Sequence, residues 1–226
     1  MNKKELKEKI KILGQDQEWN HQYELEEGVF TRSSNVDSPG YNTHKWKRLE
    51  PIFSDLGIEG KTILDVGSSD GFYAIECAKM GARVLGIEID KVRVERAEFV
   101  KNYLSQDNVE FSSEDLYDFD HEKFDIIMAL GLLHRIPDML TFLGKASQMS
   151  DVLVLEYKTF ESNEDTIYDG QKETKLNSYN TLHGIPTNVF VQNRLSELGY
   201  QNNHFYLDDQ SNLKFKRTIC VAKRSL

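Results

Sequence analysis

Apolar positions divide the chain into segments with two distinct periods. Leu6, Ile10 and Leu13 recur at helical spacing among lysines and glutamates, which predicts a helix over 2–13 ended by Gly14. A polar, aromatic stretch follows from Gln15 to Asn42, and its cluster from Ser33 to Gly40 reads as a loop. Thr43 is placed to cap a helix through Trp46, Leu49 and Phe53 to Leu56, with Pro51 as a kink or break. Short apolar runs then alternate with amphipathic stretches. Strands are predicted at 61–66, 83–88, 108–111, 124–130 and 152–156, and helices at 71–80, 90–104 and 137–149. In the second of these helices Val94, Ala97, Phe99 and Val100 are the expected core contacts, with the charges outward. Residues 159–179 lack periodicity and read as a long excursion over the site. Pro186 opens a last helix closed by Gly199, and two strands, 200–207 and 214–222, flank the turn 208–212 and so pair antiparallel.

Strands alternating with helices imply an α/β fold: a doubly wound, mostly parallel, Rossmann-like sheet with a C-terminal antiparallel strand pair. Residues 1–58 are expected to form an N-terminal helical cap or entrance segment, and residues 59–226 the Rossmann-like domain. The chain has 226 residues, enough for a substantial core.

The chemistry concentrates after the first strand. Ile63-Leu64-Asp65-Val66 leads into Gly67-Ser68-Ser69-Asp70-Gly71 and a helix start. Backbone N–H groups and the positive helix end there suit a nucleotide-like ligand. Glu88 ends the second strand 21 residues after Gly67, about the 20-residue distance at which an acid meets a ribose hydroxyl pair. The loop is Gly-x-x-x-Gly rather than Gly-x-Gly-x-x-Gly, which weakens a nicotinamide-dehydrogenase reading.

Charge narrows the partner. Net charge is −9, which opposes binding to a phosphate backbone without a local basic patch. Lys3, Lys4, Lys7, Lys9 and Lys11 are interleaved with glutamates and read as a solvated helix face. Cys77 and Cys220, far apart in apolar contexts, read as free buried thiols. No apolar run has membrane-span length and no signal segment follows Met1, so a cytoplasmic protein without membrane contact is expected.

These residues resemble a class I S-adenosylmethionine-dependent methyltransferase from Lys61 to the C-terminus. The resemblance implies that the Gly67–Gly71 loop, with Ser68, lies under the methionine moiety and that Glu88 binds the ribose. Phe111-Ser112-Ser113-Glu114-Asp115-Leu116 is similar to the adenine-binding stretch, with Asp115 on the exocyclic amine. The run from Phe124 through Leu130, Gly131, Leu132, Leu133 and His134 to Asp138 resembles the motif that faces cofactor and acceptor.

A narrower resemblance, to the tRNA wobble-uridine carboxymethyltransferases, rests on four segments. They are His44 to Pro51, Leu155-Glu156, Gly184-Ile185-Pro186 and Arg217. That family implies a lysine, a tyrosine and an arginine clamping the extra carboxylate of carboxy-S-adenosylmethionine. Here Arg217 remains, His134 stands at the tyrosine position, and Glu27-Gly28 replaces the lysine step. An acid there repels a carboxylate, so ordinary S-adenosylmethionine and a small polar acceptor, such as a sugar or another metabolite, are expected. Nucleic acid is then an unlikely partner. Lys45 is expected to help close the cofactor pocket, and Asp65 to tie the loop from below.

Methyl transfer from a sulfonium is an in-line displacement with a neutral leaving group. Placement of the nucleophile about 3 Å from the methyl carbon then carries most of the catalysis. His134 is the first candidate for a general base, or else it caps the following turn or orients substrate. Glu156 either orients an acceptor hydroxyl or anchors a loop through an ion pair. His183 either lines the acceptor pocket or binds backbone, and Arg217 either clamps an acidic acceptor group or makes a surface ion pair. His44, His134, His183 and Glu156 have no metal-site spacing, so no metal is expected. Trp19, Tyr23, Tyr41 and Trp46 either form a lid or pack the front helix. A non-catalytic cofactor-sensing or partner-binding module is the reading from a different functional class.

Overall fold

The computed structural model describes residues 1–32, 41–120, 123–169, 184–208 and 215–225. The chain divides into two compact units, Met1–Asp115 and Leu116–Leu226.

The first unit opens with helix α1 (Lys3–Leu13), whose start is fixed by a capping box. The Asn2 side chain accepts from Lys4 N–H and Glu5 N–H, and Glu5 accepts from Asn2 N–H. Leu6, Ile10 and Leu13 are buried, as the spacing predicts. A hairpin absent from the sequence expectation follows, β1 (Glu24–Glu26) and β2 (Val29–Phe30), turning at Gly28 with φ +70°. Two or three residues rich in glutamate carry no strand signal of their own. Helix α2 (Tyr41–Leu56) includes Thr43 and continues through Pro51. A helix-interior proline costs about 3 kcal/mol; burial of Trp46, Leu49, Ile52 and Phe53, with Trp46 stacked on Phe53, offsets it.

Strands β3 (Thr62–Val66), β4 (Arg83–Ile87) and β5 (Val109–Ser112) pair in parallel, with Val66 opposite Ile87 and Ile87 opposite Ser112. Helices α3 (Phe72–Lys79) and α4 (Lys91–Tyr103) make the crossovers. On α4 the expected apolar face is only partly right. Ala97 and Val100 are buried and Val94 and Phe99 half-buried, while Arg96, expected to point outward, has no exposure. Its guanidinium finds backbone carbonyl partners inside, described below, and burial of such a group is tolerated only when it is hydrogen-bonded.

In the second unit β6 (Ile126–Leu130) pairs in parallel with β7 (Val152–Thr159). Between them lie a 3₁₀ turn (Leu133–Arg135) and α5 (Met139–Met149), which starts after Asp138 because that carboxylate caps Thr141 N–H. The excursion after β7 contains β8 (Ile167–Asp169), paired with β9 (Gly184–Pro186). Pro186 therefore ends a strand, and Thr187 caps α6 (Asn188–Glu197). Strand β10 (Tyr200–Leu207) pairs antiparallel with β11 (Lys216–Arg224), which is antiparallel to β7 as well. The loop expected at 33–40 lies outside the described residues, as do 170–179 of the excursion and 209–212 of the final turn.

The first unit's strands run β3-β4-β5, all parallel, and the second unit's β10-β11-β7-β6, with β6 and β7 parallel and the β10–β11 and β11–β7 pairs antiparallel. The α/β Rossmann-like architecture and the C-terminal antiparallel pair are as the pattern predicts. No helix among the described residues is long and apolar enough to cross a membrane. Cys77 and Cys220 are buried free thiols, and burial pushes both pKa values up.

Candidate functional site

The turn after β3 is held largely by backbone hydrogen bonds, to β4 and within itself. Gly67 N–H and Ser68 N–H both donate to Ile87 O (2.9 and 3.0 Å), and Gly71 N–H donates to Ser68 O (2.9 Å). Gly67, Ser69 and Gly71 have φ of +73°, +53° and +83°. A serine in that left-handed region is uncommon; its N–H is held by Glu88 Oε2 at 3.0 Å. Gly71 is also sterically required, because a Cβ there would stand 2.6 Å from Phe111 Cζ and 2.8 Å from Ala97 Cβ. Gly86 meets the same ring, with Phe111 Cδ1 at 2.6 Å.

Glu88 is buried and ties two backbone segments together. Its Oε2 takes Ser69 N–H and its Oε1 takes Asp90 N–H at 3.1 Å, with Arg93 Nη1 3.9 Å away. Each oxygen retains acceptor capacity beyond one backbone bond. Asp65 is buried beneath, and its Oδ2 has no hydrogen-bond partner among the described residues. Burial first, and the Glu88 charge second, raise its pKa to about 8, with Lys45 opposing. Ser68 Oγ is likewise buried without a partner among the described residues. Lys45 is buried with its ammonium 5.2 Å from the Tyr73 ring centroid. Asp115 is exposed at the end of this unit. The front aromatics pack: Trp19, Tyr23 and Trp46 are all buried, and Tyr23 lies 5.3 Å from the Phe72 ring.

In the second unit Leu116 is buried and Leu130, ending β6, is half-buried. Gly131 N–H donates to Glu156 O at 2.7 Å, and the chain then enters the 3₁₀ turn that carries His134. His134 is fully buried, and its Nδ1 accepts Lys158 N–H at 3.1 Å. That bond places the neutral ring's proton on Nε2. Nε2 is buried without a partner among the described residues. Burial and the Arg217 cation hold the His134 pKa well below 6.5, Arg135 and Lys158 add to this, and Glu156 opposes it. The buried Glu156 carboxylate pairs with Arg217 Nη1 at 2.7 Å. Lys158 stands opposite Arg217 across the β7–β11 ladder. Burial, Arg217 and Arg135 lower its pKa, and Glu156 opposes. Three cations thus surround one carboxylate and one neutral imidazole.

The structure therefore gathers Gly67, Ser68, Gly71, Asp65, Lys45 and Glu88 in the first unit, and His134, Glu156 and Arg217 in the second. His183 lies outside the described residues. Lys158 and Arg135 had no sequence signal as site residues, although an alternation reading of β7 puts Glu156 and Lys158 on one face.

Residues 58–153 match a family model described as a methyltransferase domain. The chain is 23% identical over 175 residues to the tRNA U34 carboxymethyltransferase of Aliarcobacter butzleri, covering 74% of this chain and 55% of that protein. It is 30% identical over 173 residues to the enzyme of that name from Marinobacter nauticus, covering 74% and 51%. It is 34% identical over 94 residues to the ubiquinone biosynthesis O-methyltransferase of Alkalilimnicola ehrlichii, covering 40% and 38%. The chain spans about half the length of the carboxymethyltransferases it matches. Among solved structures, the N-terminal domain of EvdMO1 with SAH and D-fucose has a TM-score of 0.75 at 18% identity, covering 100% of this chain and 98% of that one. The magnesium protoporphyrin IX methyltransferase of Synechocystis PCC 6803 with bound SAM has a TM-score of 0.64 at 17% identity, covering 85% and 86%.

Proposed function

We propose that this chain, a distant relative of the class I S-adenosylmethionine-dependent methyltransferases, transfers a methyl group to a small polar acceptor. The observation that carries the cofactor half is the Gly67–Gly71 turn, strapped to Glu88 and underlain by the orphaned Asp65 Oδ2 and Ser68 Oγ. Those groups fit S-adenosylmethionine. Glu88 has acceptor capacity for a ribose hydroxyl pair, Asp115 is exposed for an amine, and Asp65 is a buried acid whose ionisation a cationic ligand would favour. Lys45 helps close the pocket. S-adenosylmethionine, when bound, supplies a methyl group on a sulfonium that leaves as a neutral thioether.

His134 is placed to donate rather than to accept. Its Nδ1 is occupied by Lys158 N–H, and burial among cations disfavours the imidazolium a base would become. Its Nε2–H orients an acceptor oxygen, and the Glu156–Arg217 pair fixes the strand ends that frame that acceptor. Rate enhancement then comes from placement. A sugar-like acceptor is consistent with the D-fucose in the EvdMO1 structure. Reduced, buried cysteines support a cytoplasmic setting.

The cation cluster favours a second reading, use of carboxy-S-adenosylmethionine on a tRNA uridine, as in the carboxymethyltransferases. Against it, one Arg217 nitrogen is already committed to Glu156 and Glu27 sits exposed in the hairpin. Calorimetric titration with S-adenosylhomocysteine, S-adenosylmethionine and carboxy-S-adenosylmethionine separates the readings. Binding of the first two is expected. No heat from either at millimolar concentration overturns the proposal, and a clear preference for the carboxylated compound moves it to the second reading.

A further inference from the structure

The middle of the cofactor turn is fastened to a segment far away in sequence. Asp70 stands between Ser69 and Gly71 with its carboxylate fully buried. Its Oδ2 accepts Asn20 N–H at 2.5 Å and His21 N–H at 2.9 Å, and its Oδ1 lies 3.6 Å from Arg96 Nη1. The Asp70 carbonyl accepts the Tyr23 hydroxyl at 2.7 Å. Asn20 Nδ2 donates to Ser69 Oγ at 3.0 Å, and Phe72 N–H reaches His21 Nδ1 at 3.4 Å. From α4, Arg96 donates to Leu13 O (2.8 Å), Glu18 O (3.2 Å) and Gln17 O, with its guanidinium 5.3 Å from the Trp19 ring centroid.

A fully buried ion pair gains little stability over apolar packing, because desolvation offsets the attraction. What this pair does supply is geometry. Arg96 clamps the backbone of 13–18, Asp70 clamps that of 20–21, and Tyr23 closes on the carbonyl between Ser69 and Gly71. Both of those residues are left-handed, so the turn has little local preference for its shape.

We propose that residues 13–23 form a strap that Asp70 and Arg96 fasten, and that the strap sets the turn in its cofactor-binding shape. Asp70, Arg96 and Tyr23 are then positioning residues for S-adenosylmethionine, acting through the turn rather than on the reacting atoms. This rests on the reading of the turn as the cofactor site.

The test compares wild type with Tyr23→Phe, which keeps the ring and removes one hydrogen bond, and with Asp70→Asn. Calorimetry with S-adenosylhomocysteine is expected to show a loss of about 3- to 10-fold for Tyr23→Phe, as one net hydrogen bond implies. A larger loss, roughly 10- to 100-fold, is expected for Asp70→Asn, which uncouples a charged pair. Once an acceptor is known, KM for S-adenosylmethionine rises while kcat at saturation stays within about twofold, the signature of lost uniform binding. Amide hydrogen exchange provides the ligand-free readout: Asn20, His21, Ser69 and Gly71 are expected to exchange faster together in Asp70→Asn. Unchanged affinity in both variants, with faster exchange confined to Asn20 and His21, overturns the proposal. Should wild type bind no S-adenosylhomocysteine, the methyltransferase reading fails by itself. The exchange of Ser69 and Gly71 then decides the strap: acceleration upholds the coupling, and none overturns it.

Discussion

The Gly67–Gly71 turn of the first unit and the His134 cluster of the second are stabilised in opposite ways. The turn is mostly backbone, with N–H groups of Gly67 and Ser68 closed on Ile87 O of the neighbouring strand, Gly71 N–H on Ser68 O, and the Glu88 carboxylate spanning Ser69 and Asp90. The cluster is mostly side chain. It draws His134 from a 3₁₀ turn, Glu156 and Lys158 from β7, and Arg217 from β11, with one buried carboxylate among three cations. A backbone-built site is insensitive to most side-chain changes and fails only at the few groups, such as Glu88, that hold its backbone. A charge-built site responds to every member, since removing one partner leaves the other desolvated and unpaired.

The largest effect is expected at the Glu88 carboxylate. Glu88→Ala orphans Ser69 N–H and Asp90 N–H and removes the proposed ribose acceptor. S-adenosylhomocysteine affinity should fall by about 2–3 kcal/mol, roughly 30- to 150-fold. Calorimetry showing less than a threefold loss would mean that the turn does not depend on this carboxylate.

Next in size is the cluster's own stability. Arg217→Met leaves Glu156 unpaired and is expected to cost about 2 kcal/mol in urea unfolding, discounted from the fully buried case because Arg217 is partly exposed. The double variant with Glu156→Gln should recover much of that loss. S-adenosylhomocysteine affinity should stay within about threefold in both, which keeps the two regions separable. A double variant no more stable than the single one breaks the charge-pair account.

His134→Phe retains a ring and loses Nε2–H, and kcat is expected to fall about tenfold with one orienting hydrogen bond. The pH–rate profile of wild type should lack a limb near 6.5, because the imidazole stays neutral well below that value. A rising limb there, lost in His134→Phe, would restore the base assignment.

A separate effect, read as stability against pH, concerns Asp65. Its folded pKa of about 8 lies above the ordinary carboxylate value. From about pH 4 to about pH 8 the folded state therefore keeps a proton that the unfolded chain has lost. Stability of the ligand-free protein should decline as pH rises through that window, and Asp65→Asn should flatten the slope in thermal unfolding. Equal slopes in the two proteins would mean that Asp65 is ionised in the fold.

Much of this was legible along the chain, and the reasons are local. The strand–turn–helix at 62–79 and the strand ending before Glu88 are written in contiguous apolar runs and glycines, and β10 and β11 announce themselves as a pair. The hairpin at 24–30 is too short to carry a period. The start of α5 after Asp138 and of α6 after Thr187 depended on which polar residue capped the first free N–H groups. Arg96 reads as a surface charge because helical spacing cannot reveal that carbonyls from residues 13–18 lie within its reach.

Sequence alone determined the alternating α/β plan, the backbone turn at Gly67–Gly71 and the carboxylate that faces it, since each depends on neighbours a few residues apart or on a repeat of fixed period. Only tertiary structure decided that Asp70 and Arg96 meet inside the strap, that His134 gives its Nδ1 to a strand amide, and that Arg217 answers Glu156. Those contacts join positions 24 to 83 residues apart, and each balances attraction against the loss of water around buried polar groups, which no local pattern of residues encodes.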